Sequence, residues 1–322
     1  MVKQGPPKKT VVVSGGTDGM GRGMVLARLK QGDAVIAIGS SPEKGRQLGL
    51  EAAGLAADDR FHFIRADLSS IAENERVVTK IAELHPAVDA LVLCANRQSP
   101  RREVTAEGLE STFALYYLSR YLLSHGLRAQ FDAAPAPVII NIAAAGLKVG
   151  EVNFADLQYE AKYSTIRTQI QAGRANDLLG RSLADDPSSK VRVVLYHPGF
   201  TKTLGGITHL KQPVKGIITL LSTMAAKPVE KAIAPMVAVI DDPPAEVLTG
   251  NNQGKPVDLA MKTFDPANAR KLASVTHRLV LTQYGDSPLL PNATKERTDT
   301  SFLGGLDSPR QGDAPHRPIE FS

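Results

Sequence analysis

The chain has a single cysteine, Cys94, among 322 residues. A disulfide framework is therefore excluded, and a thiolate metal centre has no second ligand. No His, Asp or Glu grouping has metal-ligand spacing, so no metal is expected. No run of about eighteen apolar residues occurs, which argues against a membrane-spanning helix. The opening stretch MVKQGPPKK carries no apolar signal core. A cytoplasmic protein with no membrane partner is the expectation. Charge is also unconcentrated. The net charge is +5, but basic pairs such as Lys8-Lys9 and Arg101-Arg102 are set in mixed sequence. That distribution lacks the basic stripe of a nucleic-acid binder. A mildly basic cleft for an anionic cofactor accounts for the balance equally well.

What is there is an alternation. Short Val-, Ile- or Leu-rich runs at Val11–Ser14, Ala34–Ile38, Phe61–Ile64, Ala90–Cys94, Val138–Ile142 and Val191–Tyr196 read as buried strands. Helical-period segments separate them: Gly21–Lys30, Pro42–Ala53, Ile71–Leu84, Leu109–His125 and Ser164–Ala184. Parallel neighbours need crossover helices, so this order predicts an α/β fold, a Rossmann-type doubly wound parallel sheet. Beyond Pro198 the pattern loosens. The helical stretch 204–226 is expected to form a small substrate-side lobe. Ala232–Ile240 and Pro266–Val280 read as helices, and Val247–Asp258 as a last strand. The expected organisation is a basic extension over 1–9, one domain over 10–286, and a Pro-, Gly- and Asp-rich tail over 287–322, mobile or draped on the surface.

The first strand runs into Ser14-Gly15-Gly16-Thr17-Asp18-Gly19-Met20-Gly21, and a helix follows. A glycine turn between strand and helix lets the backbone approach a pyrophosphate, and the helix N-terminus offers it N–H groups. Ser14, Gly15, Thr17, Asp18, Gly19, Met20 and Gly21 are thus candidate dinucleotide contacts. After the second strand, where an acid would bind the ribose of NAD, the chain reads Gly39-Ser40-Ser41-Pro42-Glu43-Lys44. Ser40 and Ser41 do not repel a 2′-phosphate, and Lys44 and Arg22 are placed to approach one. Asp18 opposes that charge, and NADP(H) is favoured over NAD(H). Asp67 and Leu68 are expected to flank the adenine, and Ala95, Pro198, Gly199 and Thr201 to complete the cofactor site.

The segments SGGTDGMG, ADLSS, TAEGLESTFALYYLSRYLL, NIAAAGLKVGEVNFADLQYEAKYS, GRANDLL and HPGFTKT, in that order, resemble the short-chain dehydrogenase/reductase family. The likeness is to its retinol-dehydrogenase-like and polyketide-tailoring ketoreductase branch. The resemblance implies an Asn, Ser, Tyr and Lys that move a proton to or from the substrate oxygen. Carried over by position, those sites hold Tyr116, Ala144, Gln169 and Gly173. A positioned general acid is worth about 10²–10⁴ in rate, and Gln has no acid–base function in the working pH range. Ala144 and Gly173 mark a lost Ser and a lost Lys. Tyr116, Gln169, Asn96 and Arg97 remain as candidate catalytic groups, with core packing weighed equally for Tyr116 and solvent exposure favoured for Arg97. Tyr159, Lys162 and Tyr163 imitate a Tyr–Lys pair but stand six to ten positions too early, so packing is the favoured reading. His197 is read as structural.

Three functions stay open at this point. The favoured one is a non-redox step on a small-molecule substrate of bacterial secondary metabolism: cyclisation, rearrangement, isomerisation or dehydration. The next is an NADPH-dependent ketoreductase with a replaced proton donor. The last is a non-catalytic NADP(H)-binding protein. The resemblance leaves a homodimer or homotetramer open, paired through helices beside the fourth and fifth strands.

Overall fold

A computed structural model describes residues 8–199 and 228–291. Its centre is a sheet in the order β3-β2-β1-β4-β5-β6-β7-β8. The strands are β1 Thr10–Ser14, β2 Ala34–Gly39, β3 Phe61–Arg65, β4 Ala90–Leu93, β5 Val138–Ile142, β6 Arg192–His197, β7 Leu248–Asn252 and β8 Lys255–Pro256. All pairings are parallel except the antiparallel β7–β8. The expected strand over Val247–Asp258 is therefore a hairpin. Gln253 and Gly254 form its two-residue turn, both at positive φ (55° and 95°), as a tight hairpin connection requires.

The alternation within the central strands decides which face each side chain meets. Val12, Ile36, Ile38, Leu91, Leu93 and Ile139 belong to one cluster. Val11, Val13, Val35, Ala37, Val92 and Ile140 belong to the other. Both faces are dry, which is why these strands read as unbroken apolar runs. Helices α1 (Gly19–Gln31), α2 (Pro42–Gly54) and α8 (Val229–Asp241) cover the second cluster. Helices α3 (Ile71–Leu84), α5 (Ser119–Gly126), α7 (Thr165–Ala184) and α9 (Pro266–Gln283) cover the first.

One helical expectation is corrected, and one helix is added. The segment expected as one helix over Leu109–His125 opens with a short turn, α4 (Ser111–Phe113), capped by the Glu110 carboxylate. It then passes through a π-helical turn at Ala114–Leu118 before α5. A further short helix, α6 (Arg128–Ala133), had no clear periodic signal. The start of the expected tail is also fastened down. Ser287 Oγ donates to Glu75 at 2.5 Å, and Leu289 is buried. The expected lobe over 204–226 and the rest of the tail, from 292, lie outside the described residues. No described helix is long and apolar enough to cross a membrane.

Candidate functional site

Strand order reverses between β1 and β4, and ligands in open α/β sheets bind outside the strand C-termini at such a point. The glycine turn stands there. Gly15 has φ +67°, and a Cβ on it would lie 2.8 Å from the Ala95 backbone nitrogen. At Gly21 a Cβ would lie 2.1 Å from the Gly15 carbonyl oxygen. Both positions admit hydrogen only. Ser14 Oγ accepts from the Ala95 N–H at 3.4 Å, tying the turn to the end of β4. Asp18 caps α1 by accepting from the Gly19 N–H at 2.7 Å. Thr17 packs its side chain against Gly39, where a Cβ would lie 2.6 Å from Thr17 Oγ1. Met20 packs against the second core cluster.

The segment expected to face the ribose is more occupied than the sequence suggests. Lys44 pairs with Asp18, and Arg22 pairs with Glu51. Lys44 beside Asp18 holds that carboxyl below the ordinary range. Ser41 caps α2 through the Lys44 N–H at 3.2 Å, whereas Ser40 is exposed. Asp67 closes a local turn by accepting from the Ser69 N–H and hydroxyl. Leu68 is a core residue. Pro198 is buried and Gly199 has φ +76°. Thr201 lies outside the described residues. The His197 ring meets Asn252 Oδ1 at 2.9 Å, an anchor between β6 and β7.

The four positions matched to the proton-transfer residues come together. Gln169 and Asn96 form a reciprocal amide pair, 3.3 Å in each direction, and Gln169 also donates to the Arg97 carbonyl at 3.2 Å. Arg97 is exposed and in no ion pair among the described residues. Gly173 faces Ala144, its Cβ position 3.2 Å from the Ala144 Cβ. Tyr116 packs with Ala143 and Ala172, the neighbours of those two. Burial pushes the Tyr116 phenol up, with Arg120 pulling it back. The early tyrosine is an anchor: the Tyr163 hydroxyl donates to the Ser99 carbonyl at 3.0 Å. Tyr159 sits at φ 47°, and Lys162 is exposed.

Sequence reasoning missed five polar groups behind this site. Arg120 is fully buried and donates to the Ala95 and Ile142 carbonyls at 3.0 and 2.8 Å and to Asn141 Oδ1. Asn141 Nδ2 donates to Asn176 Oδ1 at 3.0 Å, and Asn176 Nδ2 returns to the Tyr116 carbonyl at 2.7 Å. The isolated charge within the apolar run FALYYLSRYLL was the available signal. Arg174 holds the loop after β5 by its Ala144 and Leu147 carbonyls and pairs with Asp177 at 3.1 Å.

The Arg174–Asp177 pair makes stability depend on pH. Burial pushes the Asp177 carboxyl from 3.8 up to about 7, even with Arg174 beside it. The folded state therefore binds the extra proton more tightly than the unfolded chain. This contribution is complete below about pH 4 and is lost as pH rises to about 7. The span corresponds to at most on the order of 4 kcal/mol. The unfolding midpoint should fall between pH 5 and 8, and Asp177→Asn should remove most of that fall. A slope unchanged in the variant would assign it to other groups.

A family model described as short chain dehydrogenase matches residues 9–209. Mouse retinol dehydrogenase 13 is 29% identical over 199 residues, which cover 61% of this chain and 60% of that protein. The chain thus spans three fifths of that relative. A protein of Streptomyces sp. (strain C5), provisionally named daunorubicin C-13 ketoreductase DnrU, is 29% identical over 241 residues, 70% of this chain and 81% of its own. Among solved structures, a short-chain dehydrogenase from Streptomyces avermitilis superposes with a TM-score of 0.59 at 20% identity, covering 87% of this chain and 97% of that one. With the match to the family model over most of the sheet, and a glycine turn at the point where strand order reverses, the chain belongs to the short-chain dehydrogenase family.

Proposed function

We propose that this chain binds NADP(H) at the β1–α1 turn and carries out a redox-neutral step on a small organic substrate of bacterial secondary metabolism, such as a cyclisation, rearrangement, isomerisation or dehydration. The dinucleotide fits what is present. Gly15 and Gly21 leave room that a Cβ would fill, and the first turn of α1 presents N–H groups toward a pyrophosphate. When bound, a nicotinamide supplies hydride chemistry or a charged wall to the pocket. The residues beside it do not match a proton-driven reduction. The observation that carries this reading is that α7 presents an amide paired with Asn96 at Gln169 and, one turn on, a bare glycine against Ala144 at Gly173. A neutral pair of amides orients a polar substrate but gives up no proton, and holding a reactive conformation lowers a barrier without one.

The decisive experiment is restoration. The native chain should consume no NADPH with aromatic polyketide-type ketones at high enzyme concentration. The triple variant Gln169→Tyr, Gly173→Lys, Ala144→Ser should gain reductase activity, by about 10²–10⁴-fold over background. Deuteride transfer from labelled NADPH by the native chain, at a rate the triple variant does not exceed, would refute the reading. That outcome would favour an NADPH-dependent ketoreductase, which is also the reading favoured by the Tyr116 hydroxyl: it has no hydrogen-bond partner among the described residues.

Cofactor preference has its own expected result. A 2′-phosphate competes with Asp18 for Lys44, both half-exposed, so the gain is small. Lys44→Ala should weaken NADPH about fivefold, roughly 1 kcal/mol, and leave NADH unchanged in calorimetric titrations. Equal loss for both nucleotides would remove Lys44 from phosphate recognition.

A further inference from the structure

Arg120 is a cation buried without an anion among the described residues. It is fully buried, and no carboxylate lies within ion-pair distance of it among the described residues. Its neighbours are neutral: the Ala95 and Ile142 carbonyls, Asn141 Oδ1 and the Tyr116 ring, whose centroid is 4.6 Å from Cζ. Its Nε has no hydrogen-bond partner among the described residues. Carrying an uncompensated charge into the interior costs several kcal/mol. Its hydrogen bonds satisfy three buried acceptors, but a neutral donor could do that without the cost of the charge, so the charge asks for a use.

Its placement supplies one. Arg120 joins the C-terminal ends of β4 and β5, the edge where substrate meets the sheet. Tyr116 stands on the π-helical turn at Ala114–Leu118, a distortion that recurs at functional sites. Tyr116 is 93% buried, being only 7% exposed. Its hydroxyl has no partner among the described residues, and its side chain packs with Ala143 and Ala172. The hydrogen-bond circuit through Asn141 and Asn176 returns to the Tyr116 carbonyl, so cation and phenol are held as one unit.

We propose that Tyr116 and Arg120 form an oxyanion site. The tyrosine hydroxyl donates to a substrate oxygen that carries or develops negative charge, a phenolate or the enolate of a 1,3-dicarbonyl, and Arg120 supplies the counter-charge behind the ring. Arg120 is a positioning and electrostatic residue here, acting through Tyr116. The inference rests on the reading of this pocket as the substrate site, and it deepens that reading by naming the substrate class. The other ionisable groups around the pair do not supply the charge. Burial pushes the Cys94 thiol up to about 12, which keeps it neutral. Asp177 and Arg174 act on Tyr116 in opposite senses and are paired with each other. Arg120 itself stays protonated at neutral pH, since burial lowers it only to about 10.

The test uses 4-nitrophenol, whose ionised form is read by its visible absorbance, on the full chain with NADPH binding measured separately. The bound probe should ionise at lower pH than the free probe, by about one unit or more, a tenfold bias toward phenolate. Arg120→Gln should abolish that shift, Arg120→Lys should retain most of it, and Tyr116→Phe should weaken phenolate binding. The idea is overturned if the native chain binds no probe at millimolar concentration, or binds it with its ionisation unshifted. It is equally overturned if a folded Arg120→Gln variant keeps the shift. Should that variant not fold, the native titration and Tyr116→Phe decide the matter: phenolate binding unaltered by Tyr116→Phe refutes the proposal. Intact NADPH binding without any probe shift sinks the oxyanion site alone. A shifted probe together with ketone reduction by the native chain sinks only the redox-neutral reading.

Discussion

Gly21→Ala is expected to abolish dinucleotide binding. The added Cβ would sit 2.1 Å from the Gly15 carbonyl oxygen, 2.8 Å from its carbon and 3.1 Å from the Gly16 Cα. All three obstacles are backbone, so relief requires opening the turn that would hold the pyrophosphate. Overpacking of this kind costs about 1–3 kcal/mol in stability, occasionally more. The loss in binding should be larger, because displaced turn N–H groups no longer converge on the phosphates. A fall of at least ~100-fold in NADPH affinity, ~2.7 kcal/mol, is the expected calorimetric result. Gly49→Ala is the control. Among the described residues a Cβ there meets only Phe61, at 3.8 Å, so helix propensity should make the change neutral or slightly stabilising. Binding by Gly21→Ala within threefold of the native chain would mean that the cofactor does not use this turn.

The largest effect on stability is expected at Arg28. Its guanidinium is almost fully buried and touches Asp33 and Asp241, with 2.6 Å between Nη1 and Asp241 Oδ1. One side chain thus fastens α1 to the start of β2 and to the end of α8. Burial raises the Asp33 carboxyl while Arg28 draws it down. Arg28→Met keeps the volume and strands Asp33 in the interior. Breaking a buried pair in this way costs about 3–5 kcal/mol. Urea denaturation should show the loss as a lower midpoint with an unchanged slope. The double variant Arg28→Met, Asp33→Leu should recover most of it, since replacing both charges by packed apolar groups is often neutral. A single-variant loss below about 1 kcal/mol would show that the pair is not buried in solution as it is here.

The central strands and the long crossover helices were legible because their signal is local. A fully buried parallel strand must be apolar at every position, as Val11–Val13 and Ala34–Ile38 are, and a covering helix must repeat at 3.6 residues. The glycine turn was legible for the same reason, since strand, glycines and helix are contiguous. Legibility failed where a remote partner sets the geometry. The π-helical turn that carries Tyr116 lies in a segment with an ordinary helical pattern. Lys44 and Arg22 look free in the sequence, yet each meets a carboxylate brought in by folding, Asp18 and Glu51.

The sequence by itself determined the doubly wound α/β sheet, the glycine turn at its first crossover and the identity of the residues at positions 116, 144, 169 and 173. Each follows from residue type and spacing along one short stretch. Only the tertiary structure decided that Gln169 pairs with Asn96, that Gly173 closes on Ala144, and that Arg120 lies against Tyr116 without a counter-ion among the described residues. Those contacts join segments some 30 to 70 residues apart, or side chains one helical turn apart whose common burial depends on the surrounding sheet. Their energies come from desolvation and charge in a shared interior, and packing across the whole domain creates that interior.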